Sequence, residues 1–139
     1  MAETQRILVP TDFSDPARHA LEWAVDFARQ TGAQLHVIYV RVLHEDDPIT
    51  AEEQFPKQVP ESLNDVVTSR DMVSAMAAEI GIVRTARKMQ ADLIILGTHG
   101  RSGFSHVLLG SVAERVVRLA DCPVITVPPP DRDRKSERP

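Results

Sequence analysis

Short apolar runs alternate along the chain with longer segments whose apolar residues recur every three or four positions. The clearest runs are residues 7–10 (ILVP) and 93–97 (LIILG), in which almost every side chain is apolar. Continuous apolar runs of this length are typical of parallel strands buried on both faces. Residues 34–42 (QLHVIYVRV) and 124–127 (VITV) are rich in β-branched residues and also predict strands.

Amphipathic helices are predicted between these strands. The first follows Ser14 or Asp15, either of which can cap a helix, and Pro16 suits its first turn. Gly32 is placed to end this helix. Segments 77–89 and 111–120 show the same spacing of apolar residues, so they predict two further helices.

The stretch from 43 to 70 shows no clear periodicity. It contains three prolines and an acidic cluster at 45–47, so we predict a loop followed by a short helix over 61–68. Residues 72–75 then predict a short edge strand. Strands that alternate with helices imply right-handed βαβ units. The sequence therefore predicts an α/β fold with a single, doubly wound, five-stranded parallel sheet and flanking helices.

Composition argues against several classes of protein. The net charge of −4 does not suit a nucleic-acid-binding domain, which normally presents a basic face. No run of 18 apolar residues predicts a membrane span, and the first residues lack the apolar segment of a signal peptide. The single cysteine, Cys122, excludes an intramolecular disulfide. We therefore expect a cytoplasmic protein that binds neither nucleic acid nor membrane.

Length and charge distribution predict one domain and a tail. The chain has 139 residues, enough for a core that buries roughly two-thirds of the unfolded surface. Residues 131–139 are densely charged and carry no large apolar side chain. We predict a domain over 1–130 and a disordered charged tail over 131–139.

Two polar loops are expected to meet where the winding of the sheet reverses. If strand four returns to the far side of strand one, the reversal lies between these two strands. Ligands of doubly wound sheets bind at such a point, beyond the carboxyl ends of the strands. The loops there are residues 11–14 (TDFS) and 98–101 (THGR), which are rich in polar residues and glycine.

The second loop and the residues that follow it, as far as Ser111, have the composition of an anion site. Glycines allow close approach of the backbone, and Gly110 and Ser111 open a helix whose free N–H groups suit a phosphate. Ser111 adds a hydroxyl donor and Arg101 a charged one. Spacing alone does not decide between phosphate binding and tight turns. The loop is neither a P-loop nor a dinucleotide fingerprint, which disfavours a hydride-transfer enzyme.

The glycines of this loop are spaced as Gly-x2-Gly-x9-Gly-Ser, from Gly97 to Ser111. This pattern is similar to the glycine motif of the ATP-binding branch of the universal stress proteins. Residues 7–14 (ILVPTDFS), 91–100 (ADLIILGTHG) and 122–124 (CPV) resemble the same family, so the resemblance covers nearly all of the predicted domain. It implies a Rossmann-like fold of the adenine nucleotide alpha hydrolase type.

The resemblance also implies a ligand site. Four residues match positions around the adenine and the ribose: Pro10, Thr11, Asp12 and Val40. Seven match positions around the ribose and the phosphates: Gly97, His99, Gly100, Arg101, Gly110, Ser111 and Val112. His99 could instead pack within the loop, and a side chain at Gly110 is expected to obstruct the phosphate. The ligand would be ATP, or ADP or AMP, with Mg2+ bridging phosphate oxygens.

The function most favoured is a nucleotide-dependent stress-response or signalling module. Two alternatives stay open. One is a slow ATP hydrolase, for which no water-activating residue is evident, and the other is an interaction protein that binds no nucleotide. The resemblance further implies a homodimer in which strand 124–127 pairs with its twin, as an unpaired edge strand can.

Overall fold

One parallel sheet organises the molecule, which a computed structural model describes over residues 5–46, 50–99 and 109–130. Five strands in this part of the chain form the sheet: β1 (Arg6–Pro10), β2 (Gln34–Val42), β3 (Val67–Ala75), β4 (Leu93–Gly97) and β5 (Val124–Val127). Four α-helices connect them: α1 (Asp15–Thr31), α2 (Ala51–Gln58), α3 (Ala78–Met89) and α4 (Ser111–Leu119).

The strand order β3-β2-β1-β4-β5 makes the sheet doubly wound. The chain moves outward from β1 to β3, then crosses back to place β4 on the other side of β1, and all neighbouring strands are parallel. The predicted fold class and the predicted reversal between the first and fourth strands are therefore confirmed.

Two apolar cores lie on opposite faces of the sheet. On one face, Ile7 and Val9 of β1 pack with the apolar side of α1, and Phe55 of α2 joins them. On the other face, Leu8 packs with residues of α3 and α4. Because successive side chains of a strand point to opposite faces, a central strand must be apolar at every position. This requirement explains the uninterrupted apolar runs in β1 and β4.

The ends of α1 follow the predicted signals. Ser14 is the N-cap, and its hydroxyl oxygen accepts a hydrogen bond from the Ala17 N–H at 3.2 Å. Gly32 ends the helix in the left-handed conformation, with φ of 78°. Both caps satisfy backbone groups that a helix terminus would otherwise leave without a partner.

The segment before β3 differs from its prediction. Residues 51–58 form α2 where a loop was predicted, and the predicted helix over 61–68 is wrong: a single 3-10 turn at Glu61–Leu63 stands in its place. Pro56 lies inside α2 and removes one helical N–H, which keeps the helix short. Packing of Phe55 and Val59 against the core compensates for this weak local preference.

β3 is also longer than its predicted range of 72–75. It begins at Val67 and pairs with β2 as far as Ala75, with a register irregularity between Leu35 and His36. Most of its side chains are polar or half-exposed because it lies at the edge of the sheet. Its strand conformation therefore depends on pairing with β2 more than on its own apolar pattern.

Two further sequence predictions concern membrane spans and the C-terminal tail. Among the described residues, none of the helices combines the length and hydropathy needed to cross a membrane. The tail predicted over 131–139 lies outside the described residues.

Candidate functional site

A cleft of about 400 Å³ opens beyond the carboxyl ends of β1, β2 and β4. The first turns of α3 and α4 form part of its wall. Nine of the eleven predicted site residues line this cleft: Pro10, Thr11, Asp12, Val40, Gly97, His99, Gly110, Ser111 and Val112. The other two, Gly100 and Arg101, lie outside the described residues.

Local hydrogen bonds shape the loop between β1 and α1. The Thr11 N–H donates to the Ile38 carbonyl at 2.8 Å, and the Thr11 hydroxyl oxygen accepts from the Phe13 N–H at 3.0 Å. Asp12 Oδ1 accepts from both the backbone N–H and the hydroxyl of Ser14. The loop is therefore folded around its own polar side chains, with Thr11 and Asp12 at the cleft.

Phe13 holds this loop to α2. Its φ of 64° is unusual for a bulky residue, because the left-handed region crowds the Cβ atom. The ring packs against Tyr39 and Phe55, with centroid distances of 5.1 Å in both cases. The Gln58 side-chain amide donates to the Phe13 carbonyl at 2.8 Å. Sequence reasoning missed this arrangement, since a phenylalanine carries no signal of positive φ.

Close backbone approach explains two glycines at this site, Gly97 at the end of β4 and Gly110 before α4. The Gly110 N–H donates to the Thr98 carbonyl at 2.6 Å, and a Cβ at Gly110 would lie 2.8 Å from the same oxygen. A Cβ at Gly97 would lie 3.2 Å from the His99 carbonyl. A side chain at Gly110 would thus meet the loop's own backbone. Such a side chain would therefore disturb the loop itself, and its obstruction of a phosphate stays a prediction.

The N-terminus of α4 opens into the cleft. Gly110 is the N-cap without a side-chain hydrogen bond, and Ser111, Val112 and Ala113 follow as lining residues. The N–H groups of a first helical turn have no partner within the helix, and they carry the positive end of the helix dipole. Together with the Ser111 hydroxyl, they form a set of donors suited to an anion.

His99 brings a second polar feature to the same place. It is only 8% exposed, and its Nδ1 atom lies 3.0 Å from the Thr98 hydroxyl oxygen. Within the described residues, the buried side-chain atoms with no hydrogen-bond partner are Gln58 Oε1, outside the cleft, and two atoms at the cleft, His99 Nε2 and the Tyr39 hydroxyl. A buried polar atom left without a partner costs about 1–3 kcal/mol. His99 and Tyr39 both line the cleft, so a molecule bound there could supply the missing hydrogen bonds.

An ion pair not anticipated from the sequence joins the two helices at the cleft. Arg115 of α4 contacts Glu79 of α3 with 3.3 Å between Nη1 and Oε1. Glu79 is nearly buried, whereas the Arg115 side chain is more than half exposed. The spacing of Ser111 and Arg115 could have placed both on one helix face. Nothing local could have predicted Glu79 as the partner.

Cys122 lies away from this site, beside the C-terminal end of α3. Burial and the neighbouring Asp121 raise the pKa of its thiol above the usual value. The protonated thiol is therefore the dominant form at neutral pH, which suits a packing role.

Comparison with known proteins agrees with the fold and the motifs. Residues 3–128 match the model of the Universal stress protein family. The chain is 34% identical to Universal stress protein MJ0531 of Methanocaldococcus jannaschii, with 93% of this chain and 85% of that protein aligned. The structure of MJ0577 from the same organism superimposes with a TM-score of 0.72 and 28% identity, covering 94% of this chain and 99% of that one.

A structure of a universal stress protein in complex with cAMP also shares the fold. It superimposes with a TM-score of 0.73 at 23% identity and covers 93% of this chain and 100% of that one. The family match spans β1 to β5 and includes the loop residues that line the cleft, Thr11, Asp12, Thr98 and His99. The chain therefore belongs to the universal stress protein family.

Proposed function

We propose that this protein binds an adenine nucleotide in the cleft and acts as a nucleotide-dependent stress-response or signalling module. One observation carries the proposal. The open first turn of α4 and the buried, unpartnered Nε2 of His99 line the same cleft at the reversal of the sheet. A phosphate would accept from the helix N–H groups and the Ser111 hydroxyl, and the neutral His99 ring could donate to it in the tautomer that carries its N–H at Nε2.

The side of the cleft formed by β1 and β2 suits a nucleoside. Pro10 and Val40 supply apolar surface, and the Tyr39 hydroxyl and the Asp12 carboxylate supply polar groups among them. Small-molecule sites commonly combine apolar walls with a few placed polar groups. The adenine and ribose would lie along this side, with Thr11 and Asp12 as hydrogen-bonding partners.

The choice of an adenine nucleotide is supported by the family and by the chain's own motif. A universal stress protein of this fold was solved with cAMP, so the fold accommodates this class of ligand in that protein. We propose ATP first, with ADP or AMP as the alternatives, and Gly100 and Arg101 as further phosphate contacts. Mg2+ would bridge phosphate oxygens, in keeping with its preference for phosphate and water ligands. The described residues contain no group of three or more side chains arranged to hold a metal.

The direct test is to denature freshly purified protein and to identify any released nucleotide by chromatography. Calorimetry with ATP then measures the affinity of the wild type and of Ser111→Ala. We expect Ser111→Ala to lose about fivefold, because one neutral hydrogen bond is worth on the order of 1 kcal/mol. Ser69→Ala is the matched control, since Ser69 lies on β3 and its hydroxyl contacts His36 outside the cleft.

Failure would have a clear form. If the purified protein releases no nucleotide and millimolar ATP gives no heat of binding, the interaction protein without a nucleotide replaces this proposal. If ATP binds but Ser111→Ala and Ser69→Ala are both equal to the wild type, the phosphates do not lie at α4.

We also propose a homodimer through β5, which lies at an edge of the sheet. Within the described residues no strand pairs with its outer side, so the backbone groups there can pair with a second copy. Sedimentation should show a dimer at micromolar concentration, and Ile125→Lys should weaken it. Because Ile125 also packs partly against the core, circular dichroism must show that the variant is folded. A wild-type monomer at this concentration would contradict the proposal.

A further inference from the structure

The charges around the cleft are unevenly distributed. Among the described residues that line it, three carry carboxylates, Asp12, Glu45 and Glu79, and Arg115 alone carries a positive charge. A polyphosphate entering this cleft meets repulsion from the acidic residues. Arg115 is thus the one described side chain whose charge can offset that repulsion.

From this arrangement we infer that Arg115 binds the outermost phosphate of a nucleoside triphosphate and that Glu79 holds its guanidinium in place when the phosphate is absent. The pair would then determine the preference for triphosphates over monophosphates. This inference rests on the proposed nucleotide binding and adds a specificity-determining residue outside the glycine motif.

The position of Arg115 on α4 supports this role. It follows Ser111 by four residues, so both lie on one face of the helix. Long side chains on a helix lean toward its N-terminus, which directs the guanidinium over the first turn. The observed contact with Glu79, in the first turn of α3, places the guanidinium beside that turn, and both residues line the cleft.

The existing contact leaves Arg115 able to bind a phosphate. A single N–H···O bond of 3.3 Å is longer than the roughly 2.7–2.9 Å of a strong charge-assisted bond. The guanidinium has five N–H donors in a planar fork that matches phosphate oxygens. The Arg115 side chain is 58% exposed, whereas that of Glu79 is 11% exposed. The arginine can therefore move toward a ligand while the carboxylate stays in the wall.

Calorimetry with ATP and with AMP tests the inference on four proteins: wild type, Arg115→Gln, Glu79→Gln and Arg118→Gln. Arg118 is the matched control, because it lies on the same helix, pairs with Glu114 at 2.7 Å and does not line the cleft. We expect Arg115→Gln to bind ATP about tenfold more weakly, or about 1.4 kcal/mol, and to bind AMP within about twofold of the wild type. Glu79→Gln should bind ATP more tightly, since one repelling charge is removed, and Arg118→Gln should resemble the wild type.

The ratio of ATP affinity to AMP affinity in each variant decides the result. The inference is overturned if Arg115→Gln weakens ATP and AMP by the same factor, if it changes neither, or if Arg118→Gln has the same effect. If the wild type binds neither nucleotide, the proposed function itself fails. Should Arg115→Gln prove unfolded by circular dichroism, Arg115→Lys keeps the charge but loses the fork, and it must still lower the ratio of ATP to AMP affinity for the inference to stand.

Discussion

The effect of Gly81→Ala in α3 on stability can be estimated from the contacts that an added Cβ atom would make. A glycine inside a helix normally destabilises it by about 1 kcal/mol relative to alanine. A Cβ at Gly81, however, would lie 2.7 Å and 3.0 Å from the two Cγ atoms of Val40 and 3.3 Å from the Cβ of Ala75. Valine is stiff at χ1, so it cannot rotate both methyl groups away. α3 therefore approaches β2 closely at this residue.

We predict that Gly81→Ala destabilises the protein. Overpacking a core contact costs about 1–3 kcal/mol, from which about 1 kcal/mol of helix propensity is recovered. The expected net loss is about 1 kcal/mol, or roughly 4 °C in melting temperature for a domain of this size. Urea unfolding followed by circular dichroism measures the loss in free energy.

A double-mutant cycle isolates the cause. In a Val40→Ala background both Cγ atoms are gone and the 3.3 Å contact with the Cβ of Ala75 remains, so the cost of Gly81→Ala should disappear and any gain should stay below about 1 kcal/mol. In a Val73→Ala background it should stay destabilising, because Val73 belongs to the same apolar cluster but is not among the nearest neighbours of the added Cβ. If Gly81→Ala raises the stability of the wild type, or costs as much in both backgrounds, the steric reasoning is refuted.

Three further predictions concern stability. Burial and the nearby charge of Arg6 lower the pKa of His36 below its usual value. Folding stability is therefore lost as the pH falls from about 6.5 through the folded-state pKa. The urea midpoint of His36→Gln should fall less than that of the wild type between pH 7.5 and 5. Gly32→Ala should cost about 1 kcal/mol in urea unfolding because φ at Gly32 is 78°, although no atom lies within 4 Å of the added Cβ. Gly32→Asn should cost less, because asparagine adopts the left-handed conformation more readily. Gln58→Ala should cost less than about 1 kcal/mol, because it removes the bond to the Phe13 carbonyl together with a buried Oε1 atom that has no partner. A larger loss in urea unfolding would contradict this reasoning.

Local patterns were sufficient for most of the fold. β2, β4 and β5 occupy their predicted ranges, and β1, α3 and α4 differ from theirs by one residue at one end. The reversal of winding between β1 and β4 was predicted on the assumption that the fourth strand returns to the far side of the first, and the observed strand order agrees with that assumption. The ranges of these strands and helices depend on apolar periodicity and on helix caps, both of which are visible over a few neighbouring residues.

α2 and β3 could not be predicted in this way. Pro56 and the polar residues of β3 argue locally against regular structure, and both elements form because of partners distant in the chain. Phe55 packs against the core formed with α1, and the backbone of β3 pairs with β2. Tertiary packing and strand pairing here outweigh local preference.

The candidate site divides along the same line. The resemblance to the universal stress proteins implied eleven site residues, and the fold brings nine of them to one cleft, because they lie near the carboxyl ends of strands or at the start of α4. The positive φ of Phe13 and the pairing of Glu79 with Arg115 follow only from the folded chain. Each depends on atoms that come together through packing between separate elements. Neither can therefore be predicted from the neighbouring residues in the sequence.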